Sequence, residues 1–193
     1  MKNVELIADL VAHLAQSVRQ EVAGLSEGEL TWQPDAEGNS IAITVWHFSR
    51  WLDLLTVRAF ENRSPEEEQW QTRGWAKKTG YDPRGIGYQG FGALTDYTQE
   101  EVAAVPLLSA DELLTYLDQV CEALQQHLLL LPEEALHQPA MGLGGRRTPY
   151  QWIKSILLGS YGHLGEIEAL KAMQGRAHAR TDRVVDHVKK SGT

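Results

Sequence analysis

Cysteine is nearly absent from this sequence: Cys121 is the single cysteine among 193 residues. One cysteine excludes an internal disulfide and a cysteine-rich metal site. It is also typical of proteins in a reducing cytoplasm, which is the location that we expect. Long apolar runs are missing too, since none reaches the roughly 18 residues of a membrane-spanning helix. We therefore predict no membrane partner.

Positive charge is also in short supply. The 26 acidic residues outnumber the 18 lysines and arginines, which gives a formal net charge of −8. A chain with this balance lacks the broad basic surface that binds the phosphates of nucleic acids. The charge therefore predicts no nucleic-acid partner.

A sustained strand pattern is missing, and helical periodicity takes its place. Apolar residues recur at three- and four-residue steps in four long segments. These segments run from Asn3 to about Ala23, from the Ser40 cap to about Phe60, from the Ser109 cap to Pro132, and from the Thr148 cap to about Gln174. The pattern predicts an all-α fold, a four-helix bundle.

The predicted domain covers residues 1–175, and residues 176–193 are a C-terminal extension with a short helix at about Thr181–Lys190. Residues 62–108 form a long connection between the second and third helices. A structureless loop of this length is unusual in a compact domain. Its aromatic residues favour a packed insertion, a lid or a dimer contact over disorder.

Two of the predicted helices each carry a histidine on the apolar face. His47 lies on the second helix, and His163 lies in the middle of the apolar stripe of the fourth helix, so we expect both to point inward. Inward side chains of facing helices are how bundles hold metal ions, and neutral imidazole suits zinc, nickel or iron. A catalytic zinc site has three protein ligands, however, and two histidines are one short.

The residues around these histidines resemble the DinB/YfiT-like superfamily. The resemblance lies in the segments Ser40–His47 and Thr148–Ile167, and in Leu25–Leu30 before Trp32 and Pro34. It implies a four-helix bundle that is often dimeric, with one divalent metal ion on three histidines in many members. Some members are thiol transferases or isomerases.

The resemblance assigns His47 and His163 as metal ligands. It places the third histidine of the triad at the position of Gly159, and glycine cannot ligate a metal. The triad is therefore degenerate in this chain. Glu166, three residues beyond His163, and His127 are the candidate substitutes for the third ligand.

Three interpretations remain open. In the first, a substitute ligand completes the site, and the protein is a divalent-metal-dependent transferase or hydrolase of small molecules such as thiols. In the second, no metal is held, and the cavity beside Gly159 binds a small molecule. In the third, both histidines are core residues of a homodimeric scaffold.

The second interpretation also predicts the residues that surround the ligand. Aromatic and basic side chains close to the two histidines in sequence are the candidates: Trp46, Arg50, Trp51 and Tyr161. Arg50 is expected either to pair with acidic side chains or to hold an anionic group of the ligand.

Overall fold

The computed structural model describes residues 2–175, and the predicted C-terminal helix at about 181–190 lies outside the described residues. Within 2–175 the regular structure is helical and includes no strand. A π-helical segment, Leu55–Phe60, continues the α-helix Ile41–Leu54. The α-helices are α1 (Asn3–Val22), α2 (Glu27–Thr31), α3 (Ile41–Leu54), α4 (Gln69–Thr72), α5 (Trp75–Thr79), α6 (Gln99–Ala103), α7 (Ala110–Leu130) and α8 (Pro149–Met173).

Three of the four long helices begin at the residues that the sequence predicts as caps. The hydroxyl groups of Ser40, Ser109 and Thr148 each accept a hydrogen bond from the backbone N–H three residues later. Each bond satisfies one of the free donors of the first helical turn and is worth about 1 kcal/mol. The helix starts are therefore local features of the sequence.

The four long helices α1, α3, α7 and α8 form the bundle. Helices α1 and α3 each pack against both α7 and α8. The core between them includes residues of all four predicted apolar stripes, with Leu14, Leu55, Leu117 and Ile167 among the fully buried side chains. Each such side chain contributes about 1.5–3 kcal/mol of hydrophobic stabilisation. The predicted all-α four-helix bundle is confirmed.

The long connection between α3 and α7 is a packed insertion. Trp70 is fully buried, and its indole N–H donates to the carbonyl oxygen of Tyr81 over 3.0 Å. Its ring packs edge-on against Trp46 of α3 and Tyr116 of α7. The aromatic residues of the insertion thus extend the bundle core.

A buried ion network fixes the insertion to α3. Arg50 donates to Glu68 over 2.6 Å and to Asp53 over 3.2 Å, and all three side chains are fully buried. The Asp53 carboxylate also accepts from the backbone N–H groups of Gln69 and Trp70 over 2.8 and 2.9 Å. Arg50 therefore pairs with acidic side chains, which is the first of the two roles expected for it from the sequence.

Candidate functional site

A cleft between α3 and α8 contains both predicted histidines. Its volume is about 170 Å³, and its lining residues are His47, Phe48, Trp51, Ser155, Ile156, Gly159, Ser160 and His163. A larger groove of about 630 Å³ lies elsewhere, beside the start of α3 and the α6 region. Its lining contains no histidine, cysteine, lysine or arginine. We take the smaller cleft as the candidate site because the reactive side chains lie there.

The two imidazole rings are in direct contact across this cleft. Their centroids lie 4.9 Å apart, with the ring planes at 89°. The His163 side chain is 29% exposed, whereas Ser160 and Leu164 beside it are buried. Ser160 and Leu164 are thus positions of α8 that face the core. His163 lies at the edge of the buried stripe and not in its middle, where the sequence predicted it to lie.

A backbone carbonyl of the insertion orients His47. The Nδ1 atom of His47 lies 2.7 Å from the carbonyl oxygen of Ala93. A carbonyl oxygen only accepts hydrogen bonds, so Nδ1 carries the proton and donates it. In the neutral ring Nε2 is then an unprotonated acceptor.

A carboxylate orients His163 in the same way. The Nδ1 atom of His163 lies 2.8 Å from Oε2 of Glu166, one helical turn further along α8. The carboxylate accepts, so Nδ1 donates and Nε2 of the neutral ring again keeps its lone pair. No residue within 2–175 forms a hydrogen bond with Nε2 of either histidine. Both rings thus keep an acceptor for a ligand.

His47 is uncharged near neutral pH. Burial and the neighbouring imidazole of His163 lower the pKa of His47 to about 4, against the opposing effects of the Ala93 carbonyl and the Glu166 carboxylate. Burial acts in this direction because it disfavours the charged imidazolium. The site therefore offers a neutral acceptor at this position.

The described residues do not complete a metal triad. Among residues 2–175 there is no group of three or more histidine, cysteine, aspartate or glutamate side chains placed to hold a metal ion. Of the two candidate substitutes, Glu166 is hydrogen-bonded to Nδ1 of His163, and His127 stacks on Phe60 with ring centroids 5.4 Å apart. This donor set therefore does not fit a resident ion on three protein ligands.

The position that the family resemblance assigns to a third ligand, Gly159, is open. A Cβ atom added at Gly159 would meet no atom within 4 Å, apart from the local helix backbone. The cleft beside Gly159 is therefore the space that a third imidazole would occupy. In this chain it is accessible to a ligand.

The predicted pocket residues lie in four different places. Trp51 lines the cleft. Trp46 is buried against Trp70 and Tyr81, and Arg50 belongs to the buried ion network. Tyr161 contacts α1, where its hydroxyl donates to the carbonyl oxygen of Leu10 over 3.0 Å.

Other lining residues were not anticipated from the sequence. Ser155 precedes Gly159 by four residues, and the same spacing separates Gly159 from His163, so helical periodicity could have indicated Ser155. Ser160 is buried, and its hydroxyl oxygen has no hydrogen-bond partner within residues 2–175. The role of the Ala93 carbonyl could not be predicted from the sequence, because every residue has a backbone carbonyl group.

The fold and the site define a helical bundle with a histidine-lined cleft between two of its long helices. A family model described as the DinB superfamily matches residues 10–167. The chain belongs to the DinB superfamily. No curated protein matches it. Within residues 2–175, no helix has both the length and the apolar character needed to span a membrane.

A solved structure from Enterococcus faecalis, described as the conserved protein of a locus, is similar to this chain. The two share 20% sequence identity with a TM-score of 0.73, over 91% of this chain and 99% of the other. At this identity the likeness shows the fold.

Proposed function

We propose that this member of the DinB superfamily binds a small molecule directly through Nε2 of His47 and Nε2 of His163. In this proposal no metal ion is held by three protein ligands. The observation that carries it is the engagement of both Nδ1 atoms, by the Ala93 carbonyl and the Glu166 carboxylate, beside the open position at Gly159. The site is then a degenerate form of the family's metal triad that retains two oriented acceptors.

The geometry favours direct binding over the scaffold interpretation. Histidines that only complete a core have both ring nitrogens satisfied or are packed by apolar atoms on all sides. Here the two rings line a cleft of about 170 Å³, and no residue in 2–175 forms a hydrogen bond with Nε2 of either ring. A ligand with polar hydrogens would satisfy these groups.

The metal-dependent transferase or hydrolase is the competing hypothesis. It requires a third ligand from outside the described residues or from the substrate itself, such as a thiolate. Elemental analysis of protein purified without an affinity tag separates the two hypotheses. Stoichiometric zinc, nickel or iron that is lost in His163→Ala supports the metal-dependent enzyme and contradicts direct binding.

Direct binding is tested with three ring compounds of similar size that differ in their polar group: benzyl alcohol, benzylamine and benzoate. Each is titrated into EDTA-treated protein while the imidazole resonances of His47 and His163 are followed by NMR. We expect saturable shifts with at least one compound, lost in the folded variant His163→Leu. The control His137→Leu changes an exposed histidine outside the cleft and should bind as wild type does.

Two results would overturn direct binding. One is the absence of saturable shifts with all three compounds. The other is binding that requires added zinc. Thermal unfolding of both variants establishes that they are folded, so a loss of binding in His163→Leu reports on the cleft.

We propose a cytoplasmic homodimer as the working state of the protein. Leu130 and Leu158 are 85% and 68% exposed in the isolated chain, and a second copy could cover such side chains. The single cysteine, Cys121, is buried and fits a reducing compartment. Light scattering tests the assembly, and a monomer at micromolar concentration contradicts it.

A further inference from the structure

The polar groups that line the cleft accept hydrogen bonds far better than they donate them. Nε2 of His47 and Nε2 of His163 each present a lone pair. The Ser155 hydroxyl donates to the carbonyl oxygen of Gln151 over 3.0 Å, so it can only accept from a ligand, and the Ser160 hydroxyl oxygen is buried. No lysine or arginine belongs to the lining. A ligand therefore has to supply the donors.

The charge next to the cleft is negative. The carboxylate of Glu166 lies 2.8 Å from Nδ1 of His163, and its side chain is 36% exposed. Arg50, on the same helix as His47, is fully buried and donates to Asp53, to Glu68 and to the carbonyl oxygen of Gly92. That guanidinium is committed to the ion network, so it does not offset the negative charge for a ligand.

The remaining walls of the cleft are aromatic and aliphatic. Phe48 stacks on His163 with a centroid distance of 6.4 Å, and Trp51 packs edge-on against Phe91 at 5.9 Å. Ile156 completes the apolar lining. Aromatic faces attract cations and also accommodate an apolar ligand body.

From these features we infer that the cleft selects a small primary amine, bound as an ammonium group with an apolar or aromatic body. The ammonium N–H groups donate to the two Nε2 atoms, and the Glu166 carboxylate and the aromatic rings favour the positive charge. This inference rests on the proposed direct binding and specifies the class of ligand.

The same features disfavour the alternative polar groups. A carboxylate or a phosphate would direct its lone pairs at the lone pairs of the two imidazoles, next to the Glu166 carboxylate. Its oxygens would be desolvated without donors, which is unfavourable. A neutral hydroxyl group donates one hydrogen bond and leaves the second imidazole unsatisfied. The ammonium group has three donors and matches both acceptors.

The affinity order of the three ring compounds tests the inference. Calorimetric titration of EDTA-treated protein near pH 8 should give the tightest binding for benzylamine. We expect it to bind about tenfold more tightly than benzyl alcohol, because its hydrogen bonds are charge-assisted. Benzoate should bind more weakly than either. Benzyl alcohol or benzoate binding as tightly as benzylamine would overturn the inference.

A conservative variant tests the role of the Glu166 charge. The side-chain oxygen of glutamine can still accept the hydrogen bond from Nδ1 of His163, so Glu166→Gln keeps the ring orientation and removes the charge. We expect it to lower the preference for benzylamine over benzyl alcohol about threefold, with benzyl alcohol binding unchanged. Glu134→Gln, on an exposed turn outside the cleft, should leave the preference unchanged. An unchanged ratio in Glu166→Gln would also overturn the inference.

Failure of this inference is distinguishable from failure of the proposed function. If none of the three compounds binds, or if His163→Leu binds them as wild type does, direct binding in the cleft is wrong. If benzoate or benzyl alcohol binds best and requires His163, direct binding holds and only the ligand class is wrong.

Discussion

His47 donates its Nδ1–H to the carbonyl oxygen of Ala93 over 2.7 Å, across a separation of 46 residues. This bond connects a side chain of the bundle to the backbone of the insertion. The adjacent carbonyl, that of Gly92, accepts from Nε of Arg50 over 3.1 Å. The path of the insertion therefore sets the orientation of His47 and the tautomer that the ring adopts.

Gly92, next to Ala93, has no room for a side chain. Its φ is +66°, and an added Cβ would lie 2.3 Å from the carbonyl oxygen of Pro83. We predict that Gly92→Ala lowers the free energy of unfolding by about 3 kcal/mol and shifts the His47 imidazole resonances. The control, Gly85→Ala, has a φ of +83° and no atom within 4 Å of the added Cβ. Gly85→Ala should lower the free energy of unfolding by about 1–2 kcal/mol. Equal losses for the two variants in urea unfolding would show that the contact with Pro83 does not matter.

The lowered pKa of His47 predicts a pH-dependent stability. Folding moves this pKa from 6.5 to about 4. Between these values His47 is protonated in the unfolded chain and neutral in the folded protein. The stabilisation that comes from the neutral ring is therefore complete above pH 6.5 and is lost as the pH falls toward 4. We expect a loss of about 2 kcal/mol from His47 between pH 7.5 and pH 5.

Urea unfolding at the two pH values measures this loss. The variant His47→Gln has no such titration, so its stability should fall by about 2 kcal/mol less than that of wild type over the same interval. An equal fall in both proteins would show that His47 does not contribute. NMR titration of the His47 ring should give a midpoint near pH 4.

Asp53 is the acceptor on which the buried ion network depends. Its carboxylate receives hydrogen bonds from Arg50, Tyr116 and the backbone of Gln69 and Trp70. Asp53→Asn leaves part of the Arg50 charge buried without compensation, and we predict a loss of about 3–5 kcal/mol in chemical unfolding.

The matched control for Asp53 is Asp118→Asn. Asp118 pairs with Arg19, and the two side chains are 46% and 50% exposed. An exposed pair of this kind contributes at most about 1 kcal/mol. A loss in Asp53→Asn no larger than that of the control would mean that the network does not anchor the insertion.

The open space at Gly159, next to His47 and His163 in the cleft, predicts that a histidine placed there increases metal affinity. Gly159→His adds a third imidazole beside His47 and His163, and the added Cβ meets no atom within 4 Å. We expect zinc to bind at least about tenfold more tightly than to wild type, measured by calorimetry on tag-free protein.

Gly162→His is the control for this gain. An added Cβ at Gly162 also meets no atom within 4 Å, but Gly162 does not line the cleft. The control should bind zinc as wild type does. A similar gain in both variants would show that any surface histidine on α8 suffices.

The elements of the fold were predictable because their signals are local. The caps at Ser40, Ser109 and Thr148, and the apolar periodicity after each, act within a few residues of chain. The meeting of His47 with His163 was also predictable, from the faces of two helices that have to pack in one bundle. Periodicity fixes the direction of a side chain on its own helix. Both histidines lie next to buried positions of their helices, so the predicted direction was close to the observed one.

The assignment of neighbours was less predictable. Trp46, Arg50 and Trp51 lie within six residues of one helix, yet they contact the insertion core, the ion network and the cleft respectively. Side chains on one helix that differ in direction face different gaps between helices. The sequence indicates that these residues are near His47, but it does not indicate which gap each one enters.

The long helices, their caps, the superfamily and the pairing of the two histidines can all be predicted from patterns in the sequence. The resemblance also places glycine where the family has its third histidine. The hydrogen-bond partners of the two imidazole rings are seen only in the folded structure. The Ala93 carbonyl reaches His47 through the path of the insertion, and Glu166 bonds to the Nδ1 atom of His163. These partners set the tautomers and leave the two Nε2 atoms as acceptors. Periodicity and capping act within a few residues of chain, whereas the His47–Ala93 hydrogen bond joins groups 46 residues apart that only the complete fold brings together.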